Sequence, residues 1–163
     1  MRPTHLMLGF ALSALLSTSL FVLSQESLSK PLTAPTYYIS LESRLENDSL
    51  VRFNGASNLP PKSIIAFTIR DFRGDGWDFY SDEVYCSVNE KGLFEGEVVP
   101  QKGNVFRRNL ILVADFMPYH PSQPDTVLKL VGKKGEFLGG LENPQRFQVS
   151  GWKYGLEAIA RTQ

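Results

Sequence analysis

After residue 36 apolar and polar positions alternate with a period of two along most of this chain, the pattern of extended strands with one face in a core and the other toward water. The stretch Ile64 to Val88 shows it best. Ile65, Phe67 and Ile69 alternate with Ala66, Thr68 and Arg70, and farther on Val84, Cys86 and Val88 alternate with Tyr85 and Ser87. Between the two runs, Arg73-Gly74-Asp75-Gly76 supplies the flexible and left-handed backbone positions that a reversal needs. The pattern predicts one long antiparallel hairpin whose tip carries Phe72, Arg73, Asp75, Trp77, Phe79 and Tyr80.

Further strands follow from the same alternation. Tyr37 to Leu45 places Tyr37, Ile39, Leu41 and Leu45 on one face, and Asn47-Asp48 turns the chain into a second strand from Leu50 to Phe53. Asn54 to Lys62 reads as a loop, because Pro60 and Pro61 lack amide donors for a ladder. Asn89-Glu90-Lys91-Gly92 is a turn before a strand from Leu93 to Val99 with Phe94 and Val98 on one side, and Pro100 to Arg108 is a polar crossover. Asn109 to Met117, the most apolar run after residue 36, predicts a central strand buried on both faces. A short helix is expected from Pro124 to Val131, with Val127, Leu130 and Val131 on its inner side and Gly132 as its cap. A Gly-rich loop from Lys133 to Pro144 follows. The closing strand runs from Trp152 to Arg161, with Trp152, Tyr154, Leu156, Ala158 and Ala160 on one face. The expected fold is all-β: an antiparallel two-sheet immunoglobulin-like sandwich with one short helix.

The first residues have another character. Arg2 and His5 precede an apolar run over residues 6–23, and polar Ser24-Gln25-Glu26-Ser27 follows, the layout of an export signal. Residues 1–24 are expected to be a signal peptide cut before Gln25, or a signal anchor retained in the membrane. Residues 25–36 are a polar, Pro-containing tether and residues 37–163 the sandwich. The expected location is periplasmic or extracellular, with membrane attachment only through residues 6–23. Cys86 is the single cysteine of the chain, so no internal disulfide can staple it, and the apolar core must hold the fold. Lys and Arg number 17 against 17 Asp and Glu, which leaves no basic field for nucleic acid.

Several segments carry a resemblance. Phe53-Asn54-Gly55-Ala56-Ser57-Asn58-Leu59-Pro60-Pro61, Phe116-Met117-Pro118, Gln123-Pro124 with Val127, and Gly132-x-x-Gly135-x-x-Leu138-x-Gly140 are similar to segments of exported bacterial proteins built from a single immunoglobulin-like sandwich, mostly of unassigned function. Here Ser57 stands where that group usually has Thr, and the Trp-bearing tip and His120 lie outside its pattern. The resemblance implies the fold and export, and it brings no catalytic residues.

Candidate chemistry is sparse. A Ser-His-acid hydrolase needs a base, and after residue 36 only His120 offers one, between Pro118 and Pro121 and without a Gly-x-Ser-x-Gly turn. Asp71, Asp75-Gly76 and Asp82 fall at ligand positions of a calcium-loop template, but Arg73 and Phe79 interrupt it. One Cys and one such His cannot close a zinc site, and no cofactor motif is present. Arg73-Gly74-Asp75 spells an adhesion tripeptide, a match that arises often by chance, and Asn47-Asp48-Ser49 a glycosylation acceptor. The reading that remains is a non-enzymatic module binding a protein or cell-envelope component through Phe72, Arg73, Asp75, Trp77, Phe79 and Tyr80. The alternatives are a carbohydrate- or calcium-dependent ligand module and a small extracellular hydrolase.

Overall fold

A computed structural model describes residues 36–73, 76–140, 142–149, 151 and 153–163, and for residues 72, 73 and 76–78 it describes the backbone. The expected export segment and most of the tether lie outside these residues. Among the described residues nine strands and one helix follow in order: β1 (Ile39–Asn47), β2 (Leu50–Ser57), β3 (Ile64–Arg73), β4 (Gly76–Phe79), β5 (Val84–Ser87), β6 (Leu93–Val98), β7 (Ile111–Phe116), α1 (Asp125–Val131), β8 (Arg146–Val149) and β9 (Lys153–Arg161). One antiparallel sheet has the order β1-β2-β6; the other has β4-β3-β7-β9-β8, with β5 also paired to β3. The connectivity is that of an immunoglobulin-like sandwich, with β1, β2 and β6 in the places of strands A, B and E, and β3, β7 and β9 in those of C, F and G. Among the described residues, no helix is long and apolar enough to cross a membrane.

Alternation puts the predicted residues inside. Ile65, Phe67 and Ile69 of β3 are fully buried, as are Leu112, Ala114 and Phe116 of β7 and Leu156 of β9. Between the two sheets, Phe53 of β2 stacks on Phe67 of β3 at 4.1 Å, and Phe94 of β6 follows at 5.5 Å from Phe67. Two glycines make room for these rings. Gly55 pairs with Phe94 and Gly96 with Phe53. A Cβ on Gly55 would stand 2.3 Å from the Phe94 ring, and one on Gly96 2.6 Å from that of Phe53.

Two expectations about the strands need correction. β2 continues to Ser57 rather than stopping at Phe53, so Asn54 to Ser57 is strand; Gly55 there is a seat for Phe94 and not a turn residue. Cys86 is half-buried rather than enclosed with Val88, because its thiol sits at the β5 edge, where it donates to the carbonyl of Glu95 at 3.4 Å. Its surroundings push the thiol pKa up through burial.

The long hairpin exists, with an interruption. β3 pairs with β5 through Ile64↔Ser87 to Phe67↔Val84, and with β4 through Arg70↔Phe79 to Arg73↔Gly76. Between them the chain steps out at Tyr80 to Glu83, and the buried Ser81 hydroxyl takes over as acceptor for the Ile69 amide at 2.8 Å.

Later elements bring three more differences. The helix spans Asp125–Val131 with Gly132 as its cap at φ 84°; Val127 and Val131 are buried, but Leu130 points outward and is 57% exposed. Leu138, from the Gly-rich loop, is buried in the core instead. β8 was not foreseen, because four residues among glycines and prolines show too little period to register. β9 follows the expected alternation at Leu156 and Ala158, which are buried, while Ile159 faces water.

The two margins of the sandwich differ. At one, β1 packs on β9, and the Gln145 side chain closes the gap: its Oε1 accepts from the Ile39 amide at 2.7 Å and its Nε2 donates to the Ile39 carbonyl at 2.6 Å. At the other margin the edges of β5 and β6 flank an open groove of about 940 Å³, lined by Arg52, Asn54, Ser87, Asn89, Glu95 and Glu97 among others.

Candidate binding arm and the face beneath it

β7 pairs with β3 no farther than Arg70↔Ile111, whereas β3 and β4 continue to Arg73↔Gly76. At about 3.3 Å per residue, three further residues carry this two-stranded arm roughly 10 Å past the last β7 pair. Phe72 pairs with Trp77 within it, and Gly74 and Asp75 at its tip lie outside the described residues.

The sequence grouped Phe79 and Tyr80 as neighbours on one contact surface; the structure turns them to different surroundings. Phe79 is 52% exposed, and the Arg70 guanidinium lies 5.1 Å from its ring centroid. Tyr80 packs against the core, and its hydroxyl accepts from Arg107 Nη2 at 3.0 Å. Arg107 also donates to Asp71 Oδ2 at 2.8 Å, so a residue of the Pro100 to Arg108 crossover braces the root of the arm. Asp71 and Asp82, joined in the calcium template, have separate partners, since Asp82 accepts from Gln101 Nε2 at 2.9 Å. Among the described residues no three His, Cys, Asp or Glu side chains gather in a way that could hold a metal ion.

Arg70 leads to a group of residues that sequence reading passed over. Its side chain lies along the outer face of β3, donating from Nε to Thr68 Oγ1 at 2.9 Å and from Nη2 to Asp115 Oδ2 at 2.9 Å. The pair is largely enclosed, with side-chain exposures of 18% and 13%. Burial pushes the Asp115 carboxyl up to about 6; Arg70 opposes the rise, while Glu157 and Glu83 add to it. Glu157 stands directly across from Asp115 on β9. Tyr119 is raised as well, first by burial and then by the charge of Asp115, and Lys153 lies 5.1 Å from its ring. An acid inside the apolar run Asn109 to Met117 was the available signal, since a carboxylate among residues of a buried strand needs a partner.

His120, the sole candidate base, is half-buried beside Tyr85 with ring centroids 5.0 Å apart, and its Nδ1 accepts from the Ser122 amide at 3.2 Å. Tyr85 is 46% exposed and donates its hydroxyl proton to Glu83, a bond that raises its pKa ahead of burial. Comparison with protein-family models, with curated proteins and with solved structures finds no match to this chain.

Proposed function

We propose that this chain is an exported, non-enzymatic sandwich module that binds a protein or cell-envelope component through the Arg73–Tyr80 end of its β3–β4 arm. The observation that carries the reading is the arm itself, a ribbon running past the sheet with Phe79 held out in water by the Arg70 guanidinium rather than folded inward. Ribbons at the end of a rigid sandwich suit recognition, and aromatic rings supply large contact area at low entropic cost. Export rests on the charged and then apolar layout of residues 1–24; a mass measurement of the mature N-terminus tests it, and a chain cut before Gln25 is the expected result. Replacing Trp77 and Phe79 together by Ala should reduce capture of the partner from envelope extracts at least ten-fold while unfolding stays cooperative. Unchanged capture removes the arm from the reading.

A second reading draws on another patch. Tyr85, exposed and flanked by Glu83 and His120, offers a ring on which a sugar could stack. Binding on a glycan array that vanishes with Tyr85→Ala, and persists without calcium, would favour it. A calcium-dependent version would require Asp71 to leave Arg107 and Asp82 to leave Gln101.

A further inference from the structure

We infer that Asp115 is a proton-operated latch for the β3–β4 arm, holding Arg70 and through it Phe79 when ionised and releasing both when protonated. The chain of contacts is continuous. Asp115 Oδ2 accepts from Arg70 Nη2 at 2.9 Å, Thr68 Oγ1 fixes Arg70 Nε at 2.9 Å, and the same guanidinium stands 5.1 Å from the ring centroid of Phe79, the last residue of β4. Arg70 is also the residue at which β3 parts from β7, so it sits where the arm leaves the sheet. Once Asp115 takes a proton, the ion pair becomes a weaker contact between a cation and a neutral acid, and a guanidinium no longer drawn along β3 ceases to fix the Phe79 ring.

The surroundings set where this happens. Glu157 faces Asp115 from β9 and Glu83 adds its charge from the step before β5, both favouring proton uptake; Arg70 of β3 opposes them. Tyr119, after β7, feels the Asp115 charge and is itself covered by Lys153 of β9. Tyr85 of β5 is bonded to Glu83 and lies tilted against the His120 ring. On the far side of Arg70, its β7 partner Ile111 pairs in turn with Arg161 of β9. Burial together with the two glutamates raises the carboxyl to about 6, within reach of mild acidification outside a cell. Consequences for partner capture rest on the binding role proposed for the arm; the titration does not.

The test is a nuclear magnetic resonance titration of the full chain from pH 7.5 to 4.5, following the Asp115 carboxyl carbon together with amide exchange protection. The expected result is an Asp115 midpoint of about 6, with protection of Gly76–Phe79 falling at least about three-fold through the same midpoint and that of β7 and β9 maintained. Glu157→Gln should move both midpoints down by about half a unit. Asp115→Asn should leave Gly76–Phe79 at its low-pH level at every pH, and Glu157→Gln keeps the test open if that variant does not fold. Protection of β4 that stays flat while Asp115 titrates, or that falls together with β7 and β9, overturns the latch. So does a β4 midpoint that ignores Glu157→Gln. Because no partner is needed, failure here leaves the capture experiment untouched, and failed capture leaves the titration untouched.

Discussion

Asp115 shows how one carboxyl reports its surroundings. Its folded pKa of about 6 stands above the ordinary 3.8, so between those values the folded protein holds a proton that the unfolded chain has released. The sign follows directly: this group's contribution to stability grows as pH falls from about 7 toward 4, opposite to a salt-bridged acid whose pKa is depressed. A shift from 3.8 to about 6 bounds the effect at about 3 kcal/mol. Urea unfolding at pH 7 and pH 4.5 should show the natural protein gaining on Asp115→Asn as the solution is acidified; a constant difference between the two would refute the assignment. The arm and the contribution of Asp115 to global stability thus respond to acid in opposite directions, which separates the latch from ordinary acid unfolding. Sequence alone gave Asp115 no partner, because Arg70 lies 45 residues away on another strand.

At the scale of elements, the strands were legible wherever a two-residue period ran long enough. β3, β7 and β9 follow their apolar positions closely, since each pairs on both sides and a slip of one residue would turn Phe67 or Leu112 to the wrong face. In sequence alone β2 ends early for a physical reason: Asn54-Gly55 has turn chemistry when read alone, and the closeness of the Phe94 ring and the Ser40 carbonyl across the ladders explains why glycine is required inside the strand. Gly55→Ala tests this. A Cβ there would stand 2.1 Å from the Ser40 carbonyl oxygen, a backbone atom with little freedom to yield, as well as on Phe94. The expected loss is about 1–3 kcal/mol, seen as a lower urea midpoint with unchanged slope. Of the candidate site, the inward turn of Tyr80 was not legible, because it depends on Arg107 and on the step that Ser81 makes beneath Ile69.

For the molecule as a whole, the difference between its two margins matters most. One is sealed by Gln145, whose amide replaces a missing strand by serving both backbone groups of Ile39. Gln145→Ala would leave that amide and carbonyl without their partner at a half-covered site, at a cost of about 1–3 kcal/mol, measurable by thermal unfolding; a change below about 0.5 kcal/mol would mean that water substitutes freely. The β6 margin is kept open by the charged side chains of Glu95 and Glu97, which discourage another strand from adding there.

The sealed margin also fixes a timetable. Ser43 of β1 donates to the carbonyl of Arg161, 118 positions later, and β9 supplies the neighbour that β7 needs on its second side. A polypeptide emerging first residue first therefore has no complete sandwich to form until β9 is free, and contacts this distant in sequence form slowly. Closure of the whole sandwich therefore waits for the last strand of the chain.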